Sequence, residues 1–328
     1  INDNDLSSNG GYAINNLTGS TIGATCNWYG SAASGLVAAE INGPVTYTPW
    51  LNSGVDNSVA AGFQPVPLSC SGSTVVINSA VPSPQTCSGS GSIVVTYSGG
   101  TAPYDIAWTG GSAIGITNPY TITGLVAGAY GITVTDVNGS TGTASATILY
   151  LPVTNTTDNP DTYYATIQAA INAADPGEVI TVCAGTYNEN VNVTQAVTLT
   201  GAGSGSNPAT NTVLTPSSSC SGVGFTISAA NVTIQNMYVT NYQTAVLVNG
   251  VVNPTINNMA LVDYCLYGVN FGGSLSTSVY INKSTIQRST YLAGTVGVRT
   301  GTTSGVDGLL IDTCTITGNT WGMFIGQN

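Results

Sequence analysis

The sequence predicts an all-β chain in which segments of a β-solenoid (β-helix) flank one small β-sandwich. Three observations carry that prediction. Thr, Val and Ile stand beside abundant Gly and Asn, a mixture that suits pleated surfaces and tight turns. Pairs of apolar residues five apart recur in the C-terminal part of the chain, their first members 22, 25 and 30 residues from one another. Between residues 71 and 152, short apolar runs alternate with Gly-Gly, Asn-Pro and Asn-Gly turn signals.

Composition also bounds function. Lys283, Arg288 and Arg299 are the only cations among 328 residues, His is absent, and 14 acids leave a net charge of −11. So little charge often accompanies disorder, but 42% apolar content supplies a core. Three cations cannot track a phosphate backbone, which excludes nucleic acid as a partner. The acidic surface repels anionic headgroups, and no apolar run nears the roughly 20 residues of a spanning helix, so no membrane insertion is expected. Ile1 is not a start methionine, so the chain reads as processed or as a piece of something longer. Its low-charge, Thr/Asn-rich character points to an extracellular or cell-surface setting.

Residues 1–70 open with Ile1/Leu6, five apart, and close with Cys26-Asn-Trp-Tyr-Gly30 and Pro44-Val-Thr-Tyr-Thr-Pro-Trp50. They read as the C-terminal half of a β-helix with its end cap. Residues 71–152 carry strands at 92–97, 104–108, 120–122, 128–134 and 144–148, with Trp108 and Tyr130 as core aromatics. That spacing fits an immunoglobulin-like sandwich. Pro82, Pro84 and Pro152 stiffen its borders.

Residues 153–328 read as the N-terminal half of a β-helix. Its capping helix is predicted at 164–174, where Ile167, Ala170, Ile171 and Ala174 share one face. Asp161 or Thr162 caps its start, and Pro176-Gly177 stops it. Strands at 179–182 and 197–199 follow, with turns at Ala184-Gly-Thr-Tyr187 and Gly201-Ala-Gly203. Then come the pairs Ile234/Val239, Ile256/Leu261, Ile281/Ile286 and Ile311/Ile316. Each coil buries such residues only against its neighbours above and below.

The two halves match at their open ends. Ile316-Thr-Gly-Asn319 corresponds to Leu6-Ser-Ser-Asn9, and Gly322-Met-Phe-Ile325 to Gly11-Tyr-Ala-Ile14. Reading from Asn328 into Ile1 places the next first member 18 residues after Ile311. A bare solenoid end exposes core and strand edges. The expected partner is therefore an identical repeat, head to tail, with Ile1/Leu6 over Ile311/Ile316 and Asn9 over Asn319.

Two family resemblances reinforce this reading. The stretches 166–174, 176–182, 185–190 and 197–201 resemble the opening of pectin-lyase-like right-handed β-helices. Ala24-Thr-Cys-Asn-Trp-Tyr-Gly30 with Pro49-Trp-Leu51 resembles the C-terminal closure of such helices in secreted bacterial proteins. Gly99-Gly-Thr-Ala-Pro-Tyr104, Trp108, Leu125-Val-Ala-Gly-Ala-Tyr130 and Val134-Thr-Asp-Val-Asn-Gly139 resemble the SprB-type repeat. That module implies a multidomain exported adhesin or surface protein of Bacteroidota. The resemblances speak to fold; activity needs its own residues.

Pectin-lyase-like enzymes imply catalytic cations, His or paired carboxylates. Here Asp307 and Asp312 are the one plausible close pair, and Asp312 occupies the coil position of Asn2, Asn257 and Asn282. No catalytic, metal or cofactor-binding residue is therefore assigned, and no cofactor is expected. Gly201-Ala-Gly-Ser-Gly205 lacks the Lys of a phosphate loop and reads as a solenoid turn. Asn2-Asp-Asn-Asp5 lacks the later Glu of a calcium loop and reads as a solvated turn. A structural filament repeat is thus expected, with a glycan-binding adhesin module and a polysaccharide-active enzyme as alternatives. Among seven cysteines, Cys70 and Cys87 are the expected disulfide, closing a 17-residue loop worth about 3 kcal/mol. Cys265 and Cys314 read as buried single thiols.

Overall fold

A computed structural model of the protein describes residues 1–56, 59–65, 70–71, 74–137, 139–158, 160–301 and 305–326, with Ser34, Cys70 and Ser71 described by backbone alone. The fold is mostly β, with long parallel sheets. The chain divides into two compact units, Ile1–Gln85 with Ser90–Leu149, and Thr86–Gly89 with Tyr150–Asn328. No helix among the described residues is long and apolar enough to cross a membrane.

From Val179 on, the second unit is organised by three sheets of parallel strands that the chain visits in rotation, the first sheet opening with the antiparallel strands Thr162–Tyr164 and Val153–Asn155. One cycle runs Val179–Val182, Gly185–Tyr187 and Val191–Val193; the last runs Leu310–Asp312, Thr315–Thr317 and Trp321–Ile325. The apolar pairs of the sequence stack in register. Ile234, Ile256, Ile281 and Ile311 lie opposite one another in the first sheet. Val239, Leu261, Ile286 and Ile316 do so in the second. In the third, Phe225, Val246, Val269 and Val298 follow suit. In the three-residue strands of the first two sheets that carry the pairs, the middle residue points inward, so each cycle needs an aliphatic there at a fixed spacing. All but Ile311 and Ile316 belong to one buried cluster, and those two, partly buried, pack against it.

The corners explain the asparagine. Two residues after each first member, Asn236, Asn258, Lys283 and Thr313 adopt left-handed backbone, at φ 60, 48, 48 and 53°. Asn tolerates that region because its short amide bonds locally. The corner amides also bond to one another: Asn258 Nδ2 donates to Asn236 Oδ1 at 2.8 Å, and Asn253 Nδ2 to Asn231 Oδ1 at 3.1 Å.

The helix is shorter than predicted, Ile167–Ala173, and buries Ile167, Ala170 and Ile171. Thr166, rather than Asp161 or Thr162, is the N-cap, and its hydroxyl accepts from Ala169 N at 3.1 Å. Thr162 instead lies in the strand Thr162–Tyr164. Glu189 completes the cap from the cycle of strands that follows the helix, its two carboxylate oxygens accepting from Ile167 N and Gln168 N, both at 3.0 Å. A carboxylate on two free helical N–H groups makes charge-assisted bonds and opposes the helix dipole. Glu189→Ala is expected to lower stability by about 2 kcal/mol, and Glu189→Gln by roughly half that, in urea unfolding of the full chain. Equal stability of all three proteins would dismiss the cap.

In the first unit, two antiparallel sheets share a buried cluster that includes Ile93, Val95, Ile106, Ile132, Val134 and Ile148. One sheet has the order Gly111–Ile116, Tyr104–Trp108, Gly128–Asp136, Thr141–Ile148; the other Tyr120–Leu125, Gly91–Ser98, Val76–Ser83. Strands 76–83 and 111–116 were not predicted. Pro82 lies in the edge strand 76–83, where a missing N–H is tolerated. Tyr130 is buried as expected, whereas Trp108 is only partly buried and Tyr97 lies deeper in the core. Residues 1–56 make short parallel pairs: Ile14 with Ile41, Ile22 with Val45, and the bridge Asp5 to Trp28. Leu6 packs there against Ile14, Ala24, Tyr29 and Val37.

Two disulfides differ from expectation. Cys87 is bonded to Cys183, with Cα atoms 5.7 Å apart, so the predicted Cys70–Cys87 bridge does not form. Residues 86–89 group with the second unit, where Cys87 Sγ also contacts Pro152 O at 3.6 Å. Cys265 is not a single thiol: it joins Cys220, with Cα atoms 5.4 Å apart. Cys220 N donates to Asn241 O and Cys265 N to Tyr242 O, so successive coils bring both to one corner. Cys26 is also disulfide-bonded, the side chain of Cys70 lies outside the described residues, and Cys314 is free and half-buried. Ala184-Gly-Thr-Tyr187, read as a turn, contains the strand Gly185–Tyr187.

Candidate assembly surface

The last coil is where the second unit's core is uncovered. Strands Leu310–Asp312, Thr315–Thr317 and Trp321–Ile325 each pair on one side only among the described residues. Exposure follows directly. Val298 is 0% exposed, while Met323, its neighbour in register, is 42% exposed; Thr300 is 5% exposed and Ile325 71%. Val306, Leu309, Ile311, Met323 and Ile325 border an open cavity of about 420 Å³. Trp321 and Phe324 add an aromatic pair, ring centroids 5.9 Å apart.

A side-chain ladder crosses the first sheet to the same edge. Gln235 Nε2 donates to Thr200 Oγ1 at 3.0 Å, Asn257 Nδ2 to Gln235 Oε1 at 3.1 Å, and Asn282 Nδ2 to Asn257 Oδ1 at 3.2 Å. Every rung donates backward along the chain. At the next rung stands Asp312, an acceptor only. Asn282 Oδ1 is buried there without a hydrogen-bond partner.

The predicted junction residues fall at two places. Ile311 and Ile316 are partly buried on the last coil, in register with Ile281 and Ile286. Asn319 accepts from Tyr264 Oη at 2.5 Å and donates to Thr317 O at 3.0 Å. Ile1, Leu6 and Asn9 belong to the first unit. Ile1 is exposed, Leu6 is half-buried, and Asn9 Nδ2 donates to Leu6 O at 2.7 Å. Asn328 lies outside the described residues. The opening residues share the left-handed positions of the last cycle. Asp3 and Ser8, two residues after Ile1 and Leu6, have φ 57 and 59°; Thr313 and Gly318, two after Ile311 and Ile316, have φ 53 and 74°.

Other motifs of the sequence are occupied locally. Asn211 Oδ1 accepts from Gly205 N at 3.0 Å, so the loop 201–205 wraps around a side chain of its own coil. Asp5 Oδ1 accepts from the backbone and hydroxyl of Ser7, at 2.9 and 2.5 Å. Asp307 sits in the short strand Val306–Asp307 and Asp312 in the first sheet, so the two carboxylates stand on different sheets. Two cations are held: Arg288 Nη1 donates to Tyr264 O at 2.5 Å, and Arg299 lies 4.9 Å over the Tyr267 ring and donates to Asn270 Oδ1 at 3.1 Å. Burial raises the phenols of Tyr187, Tyr242 and Tyr264, which keeps them protonated donors inside the coils. Comparison with family models, curated proteins and solved structures finds no match.

Proposed function

We propose that the chain is a structural repeat of an extracellular filament or giant surface protein. Residues 1–70 and 153–328 are portions of right-handed β-helices, and 71–152 is an immunoglobulin-like module of the SprB type. Successive copies stack with the coil that begins at Ile1 over the coil that ends at Ile325, in one polypeptide or between subunits. The observation that carries this reading is the shared frame of the two coils: apolar pairs five apart, each followed two residues later by a left-handed corner. The open edge strands and exposed Met323 and Ile325 support it, since unpaired edges and bare core are costly in water. A heterologous contact that does not close into a ring propagates. The disulfides support an oxidising compartment.

Sedimentation velocity and negative-stain microscopy of the full chain test the reading. Wild-type protein is expected to form end-to-end oligomers that grow with concentration. Ile1→Asp or Ile325→Asp, both at exposed positions, should leave each monomer folded and weaken association by a hundredfold or so, from ~3 kcal/mol for burying an unpaired carboxylate. Amide exchange at 310–325 should slow on assembly. No turnover is expected on pectate, alginate or xylan, with or without calcium. Monomers at every concentration, or oligomers indifferent to both substitutions, would remove the proposal.

A further inference from the structure

The ladder on the first sheet ends in a way that an isolated unit does not favour. Between Thr200 and Asn282, the amides of Gln235 and Asn257 each accept one bond and donate another, so the chain of amides satisfies itself. An asparagine at position 312 would continue the series and give Asn282 Oδ1 its donor. Aspartate cannot, and a buried acceptor is left bare. What Asp312 gains is an ionised acceptor at the open edge. It receives Tyr280 Oη at 3.3 Å and Thr313 Oγ1 at 3.0 Å, and a carboxylate has about four acceptor positions.

We propose that Asp312 is the recognition residue of the stacking contact, and that it accepts a hydrogen bond from the Asn2 side-chain amide of the next copy. This rests on the end-to-end reading above. Asn2 follows Ile1 as Asp312 follows Ile311, and the equivalent rungs Asn257 and Asn282 also follow the first member of their pair. Asn2 is exposed. A donor arriving from the next rung has the polarity of every earlier rung, now onto a charged acceptor, which makes a stronger bond. The orphan at Asn282 is the stability given up within one unit for recognition between units.

The test gives opposite signs for stability and association. In the full chain, Asp312→Asn should raise the melting temperature by about 2–4 °C by satisfying Asn282. The same substitution should weaken self-association about tenfold in sedimentation. Asn2→Asp sets two carboxylates against each other and should weaken association about a hundredfold without changing monomer melting. Asn2→Asp with Asp312→Asn reverses the bond's polarity and should restore association to the level of Asp312→Asn or better. If wild-type chains associate but Asp312→Asn leaves both readouts unchanged, or the double variant is no better than Asn2→Asp, the pairing is wrong and stacking stands. If wild-type chains do not associate, stacking and pairing fall together.

Discussion

Phe271→Ala is expected to destabilise the second unit by about 3–5 kcal/mol. The ring is 1% exposed and lies in the third sheet between Val248 and Thr300, inside the single cluster that all the coils share. Each cycle of strands pairs with the cycles before and after it, so a cavity at Phe271 weakens two interfaces at once. Phe324→Ala is the control. That ring sits outward on the last coil over Arg299 and should cost less than about 1 kcal/mol under conditions that keep the chain monomeric. Urea unfolding followed by circular dichroism measures both. Similar small losses would mean that Phe271 is not packed as described.

Replacing Cys220 and Cys265 together by Ser is expected to cost about 4 kcal/mol, the chain-entropy value for a loop of 45 residues. The bridge ties two coils at one corner, so its removal should raise the proteolysis rate around 218–222 before the unit melts as a whole. Cys87 and Cys183 are 96 residues apart, yet the enclosed chain includes residues 90–149, which fold with the other unit. Its loop is not free chain, and the corresponding double substitution should cost less than the 96-residue value. Thermal unfolding of the two variants compares them directly. A larger loss for Cys87 and Cys183 would reverse the assignment.

How much could be read in advance depended on whether a feature was periodic. Ile234, Ile256, Ile281 and Ile311 announced a register because each is the middle, inward residue of its three-residue strand, and the structure stacks those residues. Where an element relies on long-range partners, the sequence was silent. The helix start was misplaced because Glu189, 22 residues beyond Ile167, supplies half the cap. Gly185–Tyr187 was hidden by its glycine, and strand 76–83 by Pro82. The Cys220–Cys265 bridge escaped because Cys220 precedes its strand in a loop outside the periodic pattern. At the candidate surface, the equivalence of Asn2 and Asp312 was visible, but the direction of donation along the ladder was not. Only coordinates reveal that each amide gives backward and that Asn282 is left wanting.

The amide ladder also gives the protein a chemical lifetime. Asparagine deamidates by attack of the following backbone nitrogen, fastest when glycine follows. The rungs Asn257 and Asn282 are followed by Asn258 and Lys283 and are fixed in strands, which slows that attack. When a rung does age to aspartate, it loses its donor and strands the acceptor behind it, the condition already present at position 312. Each such event would add a negative charge to a surface with almost no cations to balance it. Old material would thus carry its age as isoelectric drift and as coils that open one at a time.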